Sequence, residues 1–347
     1  MSGEKVDGVS DMSHQGPPGS ARSADPARVV EATARTVLLV VHTGRTDAVK
    51  VAQAVCEGFS RSEIALRVLE GEATDLDLAA EVVPADDLAA VGCELALVIG
   101  GDGTILRASE LTREPGTPLL GINLGHVGFL AEAEWDDIDS TVDAIISGTY
   151  DVEDRMTLDV RVQLDGEVYR GWALNEASVE KASRQRMLEV VVEIDDRPLS
   201  RWGCDGIVLA TPTGSTAYAF SAGGPVVWPE VQALLLVPIS AHALFARPML
   251  TSPDSVLAVE LLADTTDGGV LWCDGRRSVE LAPGARVEVR RGEHAIKVAR
   301  LHSAPFTDRL VAKFNLPVTG WRGAAERRWE ATHPGGSPEV PPTGGPP

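Results

Sequence analysis

The chain has 347 residues, 44% of them hydrophobic and 24% charged, a composition that supplies cores for two globular domains. Its 51 acidic residues against 31 basic ones give a net charge of −20, which argues against a nucleic-acid or anionic-membrane partner, so any anionic ligand has to be held locally by backbone N–H groups, a few placed bases and metal ions. Cys56, Cys93, Cys204 and Cys273 form no C-x-x-C pair, the first 35 residues lack the apolar stretch of a signal peptide, and no run approaches the ~18 apolar residues of a membrane span; a reducing cytoplasm is the expected compartment.

Residues 1–35 are rich in Ser, Gly, Pro and charge without a hydrophobic period, and residues 323–347 are dominated by Pro and Gly towards their end, so both are expected to be disordered tails. Thr36–Val41 reads as a strand. Ala48, Val51, Ala52, Val55, Cys56 and Phe59 then recur at helical spacing, with Asp47 placed to cap that helix. Leu95–Ile99 and Leu119–Asn123 are further buried runs leading into glycine-rich loops, the βαβ pattern of a parallel sheet; this predicts an α/β domain over 36–152. Near residue 153 the period becomes two. Leu158, Val160, Val162 and Leu164 alternate with polar residues, Asp165-Gly166 supplies a hairpin turn, and Leu188, Val190, Val192 and Ile194 alternate again, which predicts a mostly antiparallel β domain over 153–301. Phe306, Leu310, Val311 and Phe314 share one helical face, so the segment 302–322 is expected to pack back on the α/β domain.

The loop Gly100-Gly101-Asp102-Gly103-Thr104 joins the run Leu95–Ile99 to a helix-like segment, the place where an α/β sheet binds phosphate. A carboxylate beside a phosphate is repulsive unless a cation bridges them or the carboxylate takes a proton from a nucleophile, and a kinase meets both conditions. The dinucleotide fingerprint is absent, because Leu106 stands where glycine or alanine is needed, and no Gly-Lys-Ser/Thr follows. Asp102 reads equally as a helix N-cap. The loops His42–Arg45 and Gly121–Leu130 belong to the same half. The first reads as a plain turn; in the second, His126 is a phosphate ligand, a base or a locally satisfied histidine, and Phe129 lines a base slot or the core. In the second half, Thr211–Tyr218 puts four hydroxyls and a phenol around glycine beside the apolar run Gly206–Ala210, which favours recognition of a ribose or phosphate over plain turns. Asn175-Glu176 reads as a ribose chelate or as a strand-end hydrogen bond, while Asp205 and Asp274 each precede glycine as hairpin-turn residues do.

In this order and spacing, Gly100–Thr104, Asn175-Glu176, Cys204-Asp205-Gly206, Thr211–Tyr218 and Ser221–Pro225 resemble the NAD kinases from about residue 36 to 322. The first loop alone would be shared with diacylglycerol kinases, sphingosine kinases and phosphofructokinases. The resemblance implies a Rossmann-like α/β N-terminal domain, a mostly antiparallel β C-terminal domain, and an active site in the crevice between them. The activity it implies is transfer of the terminal phosphate of ATP, with polyphosphate left open as donor, to the 2′-hydroxyl of the adenosine ribose of NAD, giving NADP. It further implies a divalent cation (Mg2+) with no ligands assigned among protein residues, and a homodimer or homotetramer. By the same resemblance Asp102 is the proton acceptor, Gly100, Gly101, Gly103 and Thr104 form the phosphate loop, and Gly103 approaches NAD closely. Asn175 and Glu176 hold a ribose, Asp205 contacts the nicotinamide end, and Thr216, Ala217, Tyr218, Ala219, Phe220 and Ser221 line the dinucleotide site, joined by Arg107, Phe129 and Arg186. Arg186 and Gly203 fall at variable contact positions, and Arg276 stands where many members carry Gln.

Overall fold

A computed structural model describes residues 35–124, 128–131, 133–134, 138–265, 267–301 and 305–318. The expected tails at 1–35 and 323–347 lie outside these residues, Arg35 excepted, as do His126 and part of the segment 302–322. Arg35 is no tail residue: it opens the first strand, pairing with Glu94 at 2.5 Å and donating to the carbonyls of Ile145 and Ile146.

The first half alternates β1 (Arg35–Val41), α1 (Thr46–Phe59), β2 (Ile64–Leu69), α2 (Glu70–Leu76), β3 (Glu81–Val83), β4 (Leu95–Ile99), α3 (Asp102–Thr112), β5 (Leu119–Asn123), β6 (Ala133–Glu134), α4 (Ile138–Ser147) and β7 (Asp151–Arg155). The strands pair in parallel in the order β3-β2-β1-β4-β5. β4 and β5 are buried along their whole length, as their unbroken apolar runs require of strands covered on both faces. α1 buries Ala48, Val51, Ala52, Val55 and Phe59, the face its spacing specifies. Asp47 does not cap it: the N-cap is Arg45, and Asp47 sits one residue inside, where its charge still favours the helix dipole.

The second half comprises β8 (Leu158–Leu164), β9 (Glu167–Ala173), β10 (Glu176–Lys181), β11 (Leu188–Ile194), β12 (Arg197–Cys204), β13 (Gly206–Ala210), α5 (Tyr218–Ser221), β14 (Leu234–Ile239), β15 (Met249–Thr251), β16 (Leu257–Leu261), β17 (Gly269–Cys273), β18 (Arg277–Leu281) and β19 (Arg286–Arg291). They form two antiparallel sheets, β15-β14-β13-β10-β17-β18 and β12-β11-β16-β19-β8-β9. Val160, Val190, Trp202, Val259 and Val287 of one meet Val179, Ile207, Leu236 and Leu271 of the other in a shared core. Each fully buried Val or Leu there stabilises the fold by roughly 1.5–3 kcal/mol.

The chain then returns. β20 (Ile296–Arg300) leaves the second half and enters the first sheet between β5 and β7, parallel to one and antiparallel to the other. The expected boundary near 153 thus falls within β7, and β20, read from the sequence with the β half, is a strand of the α/β sheet. Alternation marks a strand; it does not mark which sheet receives it. α6 (Phe306–Phe314) follows.

Candidate active site

β4 delivers the Gly100–Thr104 loop, and the Gly100 N–H donates to the Ile122 carbonyl at 3.0 Å, tying the loop to the end of β5. No Cβ fits at Gly100, where it would stand 2.4 Å from Thr104 Oγ1. The N-cap of α3 is Gly101, and no side chain caps it. Asp102 is therefore not the cap. It lies in the first turn, and its carboxylate turns to the neighbouring loop, accepting the Phe129 and Leu130 N–H groups at 3.3 Å each. Gly128 makes this possible, since a Cβ there would lie 2.5 Å from Asp102 Oδ1.

Beside this carboxylate opens a pocket of about 640 Å³, walled by Gly101, Gly103 and Thr104, by the His42–Arg45 turn, and by Arg107 and Arg276. The turn read as plain from the sequence is thus a pocket wall. Arg107 also serves the scaffold, since it donates to the Val41 carbonyl at 3.0 Å and pairs with the buried Glu72, which in turn accepts the Val41 N–H. With Arg45, Arg107 and Arg276 and no carboxylate among its lining residues, the pocket suits a polyanion, although the three arginines also pair with Asp47, Glu72 and Glu110.

Asn175 and Glu176, at the start of β10, are both buried. Asp274, in the turn between β17 and β18, accepts the N–H groups of Leu174 (3.0 Å), Asn175 (2.7 Å) and Glu176 (3.4 Å), and its other face meets Arg277 at 2.7 Å. Burial pushes the Asp274 carboxyl up, against these N–H groups and Arg277, which hold it down. Burial, and then the nearby Asp274, push Glu176 up to about 8, while the Tyr218 N–H works the other way. Glu176 Oε2 is buried without a hydrogen-bond partner among the described residues. Glu110 of α3 ties the two halves together here, pairing with Arg276 at 3.0 Å and Arg277 at 3.3 Å.

The 211–221 loop packs directly on this pair. Gly214 comes so close that a Cβ would lie 2.0 Å from the Asn175 carbonyl oxygen. Its hydroxyls are largely spent on the scaffold. Thr211 Oγ1 donates to the Leu174 carbonyl at 2.6 Å, Ser215 Oγ donates to the Val227 carbonyl, and Thr216 Oγ1 donates to that of Thr213. Hydroxyl density therefore signals anchoring at these three residues. Tyr218 hydrogen-bonds Glu180, and burial raises its phenol. Ala219 is fully buried against Val208, Val227 and Val237, whereas Phe220 and Ser221 are exposed.

The structure brings Asp102, Phe129, Phe220 and α6 together, with Phe314 at 5.9 Å from Phe129 and 4.8 Å from Phe220 between ring centroids. Phe129 is itself buried. Asp205 pairs with Lys181 where the chain passes from β12 to β13, and neither it nor Gly206 has the positive φ of a hairpin turn. Gly206 instead allows close approach, since a Cβ would stand 2.8 Å from the Val179 carbonyl oxygen. Arg186 lies at the surface and pairs with Asp267 at 3.3 Å. Two contributors escape a sequence reading. Asp274 does occupy a hairpin turn, with φ of 54°, but its side chain organises Asn175-Glu176; Arg309 of α6 donates to the Phe129 carbonyl. The Cys-Asp-Gly echo at 204–206 and 273–275 is the one sequence signal pointing at Asp274.

Two family descriptions match the chain: "ATP-NAD kinase N-terminal domain" over residues 37–150 and "ATP-NAD kinase C-terminal domain" over residues 174–301. NAD kinase 2 of Streptomyces coelicolor is 63% identical over 294 residues, covering 84% of this chain and 97% of that protein. The NAD kinase of Thermobifida fusca is 58% identical over 309 residues, covering 86% and 94%. Among solved structures, yeast NADH kinase complexed with NADH superposes with a TM-score of 0.76 at 20% identity, covering 84% of this chain and 90% of that one. An NAD kinase from Archaeoglobus fulgidus in complex with ATP gives 0.62 at 24%, covering 81% and 98%. At these identities the two structures speak for the fold.

Proposed function

The chain belongs to the ATP-NAD kinase family, and from that premise we propose which of its residues carry the reaction. The reaction is transfer of the terminal phosphate of ATP to the 2′-hydroxyl of the adenosine ribose of NAD, producing NADP. Asp102 is the proton acceptor. The ribose oxygen attacks the terminal phosphorus, the bond to the ADP oxygen breaks, and the hydroxyl proton passes to the Asp102 carboxylate. What supports this is the placement of that carboxylate: outside the cap position, fixed by two N–H groups, beside a pocket lined by glycine backbone and arginines.

The pocket takes the donor's phosphates, and polyphosphate meets the same chemistry. Asn175 and Glu176, backed by Asp274, take a ribose, with the orphaned Glu176 Oε2 as an acceptor for its hydroxyl. The Tyr218–Ser221 segment completes the dinucleotide site, Phe220 and Ser221 through side chains and the buried Ala219 through backbone. Asp205, paired with Lys181, contacts the nicotinamide end, and Arg186, paired with Asp267, is a variable contact to the dinucleotide.

Among the described residues no group of three or more His, Cys, Asp or Glu side chains is placed to hold a metal ion. A magnesium ion arriving on the donor's phosphates would meet Asp102 as the carboxylate beside the pocket and would neutralise the triphosphate. A homodimer or homotetramer, supported by the edge strands β9, β15 and β18, and a cytoplasmic location complete the reading. No helix among the described residues is long and apolar enough to cross a membrane. A coupled assay for NADP with ATP, NAD and magnesium tests the reading: formation dependent on all three is expected, and its absence with folded protein overturns it. Light scattering reads the assembly.

A further inference from the structure

None of the nine residues of α6 is buried, so the helix adds little to any core. Its partly covered face carries Phe306, Arg309, Leu310, Val311 and Phe314. The rings seat it: Phe306 and Phe314 each lie 5.9 Å from Phe129, Phe306 is 5.4 Å from Trp228, and Phe314 is 4.8 Å from Phe220. The Phe129 N–H is one of the two that hold the Asp102 carboxylate, and Phe220 belongs to the dinucleotide segment. The helix therefore rests across both sides of the crevice.

Arg309 lies between Phe306 and Phe314 in sequence, on the same partly covered face. Its guanidinium donates to the Phe129 carbonyl at 3.2 Å and is attracted electrostatically by Asp102. Partial burial lowers its pKa. A guanidinium remains protonated even so, and its partial withdrawal from water is offset by anions and hydrogen-bond acceptors around it. The Phe129 carbonyl is one such acceptor and the Asp102 charge one such anion. Phe129 is thus gripped twice: its N–H by Asp102, its carbonyl by Arg309.

We propose that Arg309 is a positioning residue for phosphoryl transfer, fixing through Phe129 the backbone that holds the Asp102 carboxylate and supplying positive charge where that carboxylate meets the incoming phosphate. The proposal rests on Asp102 being the proton acceptor. Arg309 itself exchanges no proton and forms no bond; it sets the geometry and the field in which Asp102 works.

Arg309→Gln and Arg309→Lys in the full chain test it, with NADP formation at saturating ATP and NAD, NAD affinity by calorimetry without donor, and thermal melting. Arg309→Gln is expected to lose turnover roughly 10- to 100-fold, while its NAD affinity and melting temperature stay near wild type. Added methylguanidinium restores part of that turnover, and Arg309→Lys retains more of it than Arg309→Gln. Wild-type turnover in Arg309→Gln overturns the proposal. So does a loss of turnover that follows NAD affinity, ignores methylguanidinium and is equal in both variants, since helix docking alone would produce it. Should Arg309→Gln fail to fold, the same readouts on Arg309→Lys decide, with loss of turnover at unchanged NAD affinity expected. An active Asp102→Asn variant sinks the proton-acceptor reading; an active Arg309→Gln beside an inactive Asp102→Asn sinks this inference alone.

Discussion

Asp274 Oδ1 accepts the Asn175 N–H at 2.7 Å, a bond that joins residues 99 positions apart and lets a turn between two strands set the start of a third. The same carboxylate holds Leu174, Glu176 and Arg277, so four donors converge on one buried acid. Removing it leaves those donors unpaired together. Asp274→Ala is expected to cost roughly 3–5 kcal/mol of stability and to weaken NAD binding through the displaced Asn175-Glu176 pair. Urea denaturation checks this, and a loss below about 1 kcal/mol would show the bonds to be dispensable.

Two glycines of the site separate folding from function. A Cβ at Gly103 meets nothing within 4 Å, and the residue lies in the first turn of α3, so Gly103→Ala should stabilise the protein by about 0.5–1 kcal/mol while impairing nucleotide binding. Gly214→Ala drives a Cβ into the Asn175 carbonyl and should destabilise by at least about 2 kcal/mol. Thermal melts paired with titrations of each nucleotide check both. Unaltered nucleotide affinity in Gly103→Ala would remove that backbone from the binding surface.

Glu176 gives the apo protein a pH dependence of definite sign. Its folded-state value of about 8 lies above the ordinary 4.5, so the folded state holds the proton more tightly than the unfolded one. Its contribution to stability is complete below about 4.5 and is lost as pH rises through about 8. Asp274, also raised, adds to the same slope. Melting temperature should fall across that range, and Glu176→Gln, which mimics the protonated acid, should flatten but not abolish the fall. An unchanged slope in Glu176→Gln assigns it elsewhere.

Glu176→Ala removes the ribose acceptor and is expected to weaken NAD binding by about 1–3 kcal/mol, roughly five- to hundred-fold. ATP affinity should change far less. Calorimetric titration of each nucleotide separates the cases, and equal losses for both would assign the pair to the fold.

Asp102→Asn keeps the shape of the side chain and can still accept one of the two N–H groups now bound. Turnover should fall on the order of 10²–10⁴ with NAD affinity little changed. Steady-state kinetics beside calorimetry check this, and near-wild-type turnover would remove Asp102 from the base role.

Much of the architecture was legible in the chain. Leu95–Ile99 and Leu119–Asn123 coincide with β4 and β5, and the alternating runs at 158–164 and 188–194 with β8 and β11, because burial on two faces or one writes itself into the hydrophobic period. Asp102 and Asn175-Glu176 stood out because glycine or apolar neighbours isolate them. Asp274 did not, since Asp-Gly is what any hairpin turn prefers and its partners lie in another strand. Nor did Arg309, whose role depends on a loop 180 residues away. The hydroxyls of Thr211 and Ser215 misled, because a side chain that fastens a loop and one that greets a ligand are spelled alike.

The position of β20 orders the birth of the molecule. Emerging from the ribosome, β1 to β5 can pair as soon as they are made, but the strand that separates β5 from β7 appears only after the intervening 140 residues from 156 to 295 have been translated. Until then the margin of the nascent sheet at β5 is covered only by the two-residue β6, and the rest of it is exposed to other chains. The β half is thus threaded through its predecessor like a clasp, and the fragment ending near residue 152, synthesised alone, should be prone to aggregate, because its closing strand is encoded downstream.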